Sequence, residues 1–158
     1  DGMHVPLLLR DGSGTAVAVE DDGFDGILKP AIVFSPGDAG WSGEPVGGES
    51  ANRRQALRAP LPATTYAGAP YLRQLSDGTT ILSVQSDEGS PGEPRMAVYV
   101  GDERARDFAG PTRPFDGASR WNSLFVHDDD TITAVSTTTA EGVAGLWAIH
   151  GRIRPRVD

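Results

Sequence analysis

A chain of 158 residues, 38% of them hydrophobic, can bury one ordinary core and is too short for two domains. A formal net charge of -8, from 22 acidic against 14 basic side chains, argues against wrapping a polyanion, which needs clustered Lys and Arg; nucleic acid is set aside as a partner. The absence of cysteine removes disulfides and thiolate metal sites, and no run of about 18 apolar residues is present to span a bilayer, so no membrane partner is expected.

The 20 Gly and 12 Pro lie scattered between short apolar runs, without the periodicity of a long helix, and this pattern predicts an all-β protein. Val5 to Arg10 reads as a strand, Asp11 to Gly14 as a turn, and Thr15 to Val19 as the returning strand, ending on Glu20. A loop from Asp21 to Gly26 leads to a third strand, Ala31 to Ser35. The segment Pro36 to Pro62 is rich in Gly, Pro, Ser and Arg and reads mostly as an ordered functional loop, with a weakly signalled strand at Trp41 to Val46.

The stretch APYLRQLSDGTTILSVQSDEG, Ala69 to Gly89, carries the strongest signal. Tyr71 to Leu75 and Thr79 to Gln85 hold the aromatic and branched residues that suit a pleated strand, and Asp77-Gly78 supplies the positive φ of a two-residue hairpin turn. A third strand, Arg95 to Gly101, and a loop, Asp102 to Ala118, complete this unit. The last unit runs from Trp121 to Val126, turns through Asp128-Asp129-Asp130, returns as Thr131 to Thr137 and continues as Gly145 to His150.

Gly12, Gly78 and Asp130 fall at corresponding turns, so the chain divides into units of roughly 1-62, 63-118 and 119-158. Units of about 50 residues with three or four antiparallel strands are the pattern of β-propeller blades, of which a ring needs roughly 4 to 8. About three are present. The expectation is therefore a single propeller segment, completed by the remaining blades of the same propeller or by self-association that closes the ring; a β-sandwich or jelly roll has similar strand spacing.

A hairpin returns the chain to its starting end, so Glu20 and Glu88, each just past a second strand, are expected on one rim. Two carboxyl groups flanking a bond are what glycoside hydrolysis requires. The same logic brings the starts of the first strands to that rim: Asp1, Met3 and His4, then Tyr71, then Arg120, Trp121 and Asn122. Aromatic rings stack on sugar faces, and Arg, Asn and His bond hydroxyls, so His4, Tyr71, Arg120, Trp121 and Asn122 are candidate substrate-binding residues; Tyr71 and Trp121 also suit core packing, and Trp147 suits it better than a site. His127 before three aspartates has a metal-like composition without EF-hand spacing; neither a metal nor another cofactor is expected.

The phrases VPLLLRDGSGTAVAVEDDG (5-23), PVGGES (45-50), APYLRQLSDGTTILSVQSDEG (69-89) and RWNSLFV (120-126) resemble those of sialidase-like six-bladed propellers, most closely the exo-α-1,5-L-arabinanase-like glycoside hydrolases. The resemblance implies a segment of a six-bladed ring, an exo-acting retaining hydrolase of terminal arabinofuranosyl-type sugars, and a carbohydrate substrate. It implies Glu20 as nucleophile and Glu88 as acid/base, and a secreted or periplasmic location, although no signal peptide is read in this chain. A sialidase would need an arginine triad and a Tyr nucleophile, which Arg53, Arg54 and Arg120 do not assemble, and SPGDAGW (35-41) is a degenerate Asp-box. Sialic acid is the second substrate, and a non-catalytic glycan- or protein-binding propeller is the rival of a different class.

Overall fold

The computed structural model describes residues 4-20, 31-46, 67-86 and 93-153. Eleven strands, and no helix, are found among them. They form three antiparallel meanders in chain order. The first sheet is β1 (His4–Leu8), β2 (Thr15–Glu20), β3 (Ala31–Gly37) and β4 (Gly40–Val46). The second is β5 (Ala67–Gln74), β6 (Thr80–Ser86), β7 (Arg95–Gly101) and β8 (Ala109–Thr112), and the third is β9 (Ser119–Val126), β10 (Ile132–Ala140) and β11 (Val143–Gly151). β4, weakly signalled in sequence, is a full strand of the first sheet.

One turn design recurs because one piece of chemistry recurs. The Asp77 carboxylate accepts the Thr79 N–H at 2.9 Å, Gly78 takes a φ of 93°, and Leu75 exchanges backbone bonds with Thr79 and Gly78. The loop is thus Ser76-Asp77-Gly78, a type I turn closed by a left-handed residue, rather than the two-residue turn expected from Asp-Gly. The extra residue is set by the Asp side chain, which ties down the N–H two positions on. Asp11 does the same for Ser13 ahead of Gly12, with φ 74°, and Asp129 for Thr131 ahead of Asp130, with φ 61°. Asp130 therefore occupies the backbone state that glycine fills in the other two units; Asp is among the few side chains that tolerate it. The same backbone turn, with Ala105 at φ 57°, joins β7 to β8, but there Asp102 itself opens the turn and its carboxylate accepts the Arg104 and Arg106 N–H groups. The segment Asp102 to Ala118, expected to be loop, thus contains a strand.

The sheets are stacked by strand alternation. On β5, β6 and β7, Leu72, Leu82, Val84, Ala97 and Tyr99 face the first sheet and meet Leu9, Ala16, Ala18 and Val33. Their neighbours Ile81, Met96 and Val98 face the other way and meet Leu124, Ile132 and Ala134 of the third sheet. The middle sheet is therefore apolar on both faces, which explains the near-continuous burial of Thr80 to Val84. Each fully buried Leu or Ile contributes about 1.5–3 kcal/mol of hydrophobic stabilisation, so the two interfaces dominate the stability of the stack.

Hydrogen bonds fix which ends of the sheets coincide. Arg10 N–H beside the first turn donates to Gln74 Oε1 at 2.9 Å, and Ser76 in the second donates its N–H to Asp130 Oδ1 in the third at 2.7 Å, with a second bond from Ser76 Oγ to Asp130 Oδ2. All three turns share one rim. The opposite ends of the hairpins, where His4 pairs with Val19, Ala67 with Ser86 and Ser119 with Thr138, share the other.

Candidate functional site

The far rim is shaped by a β-bulge that occurs twice. In β5 the register slips between Gly68 and Tyr71, with Ala69 at φ 48°; in β9 it slips opposite Val135 and Thr137, with Trp121 at φ 54°. Both residues lie six positions before the residue that opens the turn (75 minus 69, 127 minus 121). A bulge sets two residues against one, bends the strand and re-aims side chains, and it is common beside binding and catalytic sites. A left-handed φ on a tryptophan is an outlier that surrounding structure must hold in place.

Here the holding bond is visible. The Trp121 N–H, freed from the ladder, donates to Gln85 Oε1 at the end of β6, at 3.1 Å. The indole is left 80% exposed, so the core-packing role open to Trp121 in the sequence does not describe it. Its neighbour Asn122 points the opposite way and is 3% exposed, and neither its Oδ1 nor its Nδ2 has a hydrogen-bond partner. A buried amide with both ends unsatisfied is costly, about 1–3 kcal/mol for each orphaned group.

Tyr71, half-buried, packs against the core between the second and third sheets, and its hydroxyl lies 3.4 Å from Ser123 Oγ. The Arg73 guanidinium stands 5.7 Å from the Tyr71 ring centroid and donates from Nη1 to Leu72 O at 2.8 Å. Arg120 is exposed at the same rim, paired with Thr137, and its carbonyl accepts the Ser136 hydroxyl at 3.0 Å. His4 is exposed at the rim of the first sheet. Tyr71, Arg120, Trp121 and Asn122 are thus gathered where the second and third sheets meet, and His4 stands on the first sheet's share of that rim.

Of the two candidate carboxylates, Glu20 is the last residue of β2, its backbone paired with Ala31. Its side chain, the whole of Glu88, and Asp1 and Met3 lie outside the described residues. Gln85, Arg73 and Ser123 were not singled out in the sequence. A polar residue on a half-buried strand carries no local signal of its own, and only the bulge at Trp121 gives Gln85 a role.

The turn rim has a different chemistry. Hydrogen bonds from Ser76 hold the Asp130 carboxyl below the usual carboxylate range, those from Thr131 do so for Asp129, and those from Ser13 for Asp11. These acids are structural caps. His127 Nε2 and His150 Nδ1 meet the Thr133 hydroxyl at 2.8 and 3.0 Å. Among the described residues no three His, Asp or Glu side chains group to hold a metal ion. Comparison with protein-family models, with curated proteins and with solved structures finds no match to this chain.

Proposed function

We propose that the three sheets are successive blades of a sialidase-like β-propeller and that the rim opposite the Asp turns binds the terminal sugar of a glycan. The observation that carries this reading is Trp121: a solvent-exposed indole held in left-handed backbone by the Gln85 amide is arranged for a ligand. Tyr71 and Trp121 would stack on the apolar faces of a sugar, and Arg120 would bond its hydroxyls.

The reaction in this reading is retaining hydrolysis of a terminal arabinofuranosyl-type sugar. Ionised Glu20 attacks the anomeric carbon while protonated Glu88 gives its proton to the leaving oxygen. Glu88 then takes a proton from water, which displaces Glu20 and releases the sugar with its configuration kept. Support comes from the end of β2 at Glu20 on the rim that carries Trp121, and from the resemblance of the chain's phrases to exo-α-1,5-L-arabinanase-like enzymes.

Calorimetric titration with an arabino-oligosaccharide separates this reading from its rivals. Trp121→Ala is expected to weaken binding by about 5- to 150-fold, the equivalent of 1–3 kcal/mol for a lost stacking partner. Unchanged affinity would remove the rim from the account. Tighter binding of sialyllactose than of the arabino-oligosaccharide would move the substrate to sialic acid, and binding with no hydrolysis at any pH would leave a glycan-binding propeller.

A further inference from the structure

β6 is buried along its length except at one residue. Thr80 to Val84 and Ser86 are buried, and Gln85 alone is half-buried, so it is the one β6 side chain that a molecule on the rim can touch. Strand alternation puts Gln85 on the same side as Ile81, which packs on the third sheet. Its Oε1 meets the Trp121 N–H at 3.1 Å. That bond settles which end of the amide is which. A backbone N–H can only donate, so the atom facing it is the oxygen, and the Nε2 amino group takes the other side. This group carries two N–H donors, and neither has an acceptor among the described residues.

Backbone register places Gln85 at the site. Six positions past the residues that close the turns, Gly14, Thr79 and Thr131, stand Glu20, Gln85 and Thr137 (20 minus 14, 85 minus 79, 137 minus 131). Glu20 and Gln85 therefore hold equivalent backbone positions near the ends of β2 and β6, on the rim opposite the Asp turns. The position to which the hydrolytic reading assigns its nucleophile in the first sheet is filled in the second by a neutral amide.

We propose that Gln85 is both the positioning residue for Trp121 and a ligand-binding residue. Its Oε1 holds the left-handed backbone that presents the indole, and its Nε2 donates to a hydroxyl oxygen of the sugar stacked on that indole. The proposal rests on the glycan reading of the rim. The two roles reinforce one another: the bond to Trp121 fixes the amide before a ligand arrives, so less side-chain freedom is lost on binding.

Calorimetric titration with an arabino-oligosaccharide, run beside amide hydrogen exchange at Trp121, separates the two roles. Gln85→Glu keeps an acceptor for the Trp121 N–H and replaces the donor with a second oxygen. It is expected to leave Trp121 exchange as slow as in the parent and to weaken binding about 10- to 100-fold, because the sugar oxygen then faces another acceptor. Gln85→Met keeps the length of the side chain and loses both groups. Exchange at Trp121 is expected to quicken about 10-fold or more, with binding weakened at least as far as by Gln85→Glu. Parent affinity in Gln85→Glu would overturn the donor role, and parent-like exchange in Gln85→Met would overturn the positioning role. A parent chain that binds no arabino-oligosaccharide, while Gln85→Met still quickens exchange, would overturn the sugar reading and the donor role with it and leave the positioning role standing.

Discussion

Leu82 and Leu124 occupy opposite surfaces of the stack's interior, and truncating each to Ala should cost different amounts. Both are buried, Leu82 at 0% and Leu124 at 1% exposure. Leu82 lies among Leu72, Val84, Ala97 and Tyr99 between the first and second sheets. Removing three carbons there forfeits about 2.4 kcal/mol of transfer free energy and leaves a closed void, for a total of about 4 kcal/mol. Leu124 instead lines a cleft of about 150 Å³ between Val98, Pro114, Ile132 and Ile149. Its loss enlarges an opening that already exists, the added cavity cost is small, and the expected total is about 2.5 kcal/mol. Urea unfolding at equilibrium measures both. At about 2–4 °C per kcal/mol for a chain of this size, Leu82→Ala should also melt about 8–16 °C below the parent. If Leu124→Ala proved the costlier of the two, or Leu82→Ala cost under about 1 kcal/mol, the assignment of the two interfaces would be wrong.

Two further substitutions probe polar groups. Asp130→Asn keeps one oxygen for the Ser76 N–H but loses the charge that Ser76 stabilises. Its folded pKa lies below the unfolded one, so the carboxylate's contribution is present above about pH 4 and is lost as pH falls through the folded value. Asp130→Asn should be less stable than the parent at pH 7, by a deficit that shrinks as the pH is lowered through the acid range, in thermal melts; a deficit that does not shrink below about pH 4 would refute the cause. Asn122→Leu removes two orphaned buried atoms and should leave unfolding stability unchanged or raise it by about 1 kcal/mol. A loss of more than about 2 kcal/mol in urea would mean that the amide is satisfied after all.

The hairpins were legible because their turn chemistry is local. Asp11, Asp77 and Asp129 each hold an N–H two residues on, and the following left-handed position is marked by Gly twice and by Asp130 once. β8 was not legible, since AGPT over Ala109–Thr112 has few of the branched and aromatic residues that mark a strand and contains Gly110 at φ 146° and Pro111. Trp121 illustrates a third case. Alternation in RWNSLFV predicts which side of β9 each residue takes only while one residue faces one, and the bulge breaks that count. Its exposure follows from a tertiary bond to Gln85, 36 positions away, and no window of sequence contains both. The all-β class and the three antiparallel units were readable for the opposite reason: each unit is closed within itself by bonds between neighbours in the chain.

The most direct test of the account is turnover of an aryl α-L-arabinofuranoside by the full chain, with Glu20→Gln and Glu88→Gln assayed beside it. The account predicts measurable hydrolysis with the product's anomeric configuration retained, abolished by Glu20→Gln and slowed about 10²–10⁴-fold by Glu88→Gln. Hydrolysis that survives Glu20→Gln unchanged, or no turnover by the parent chain at any pH, would contradict it.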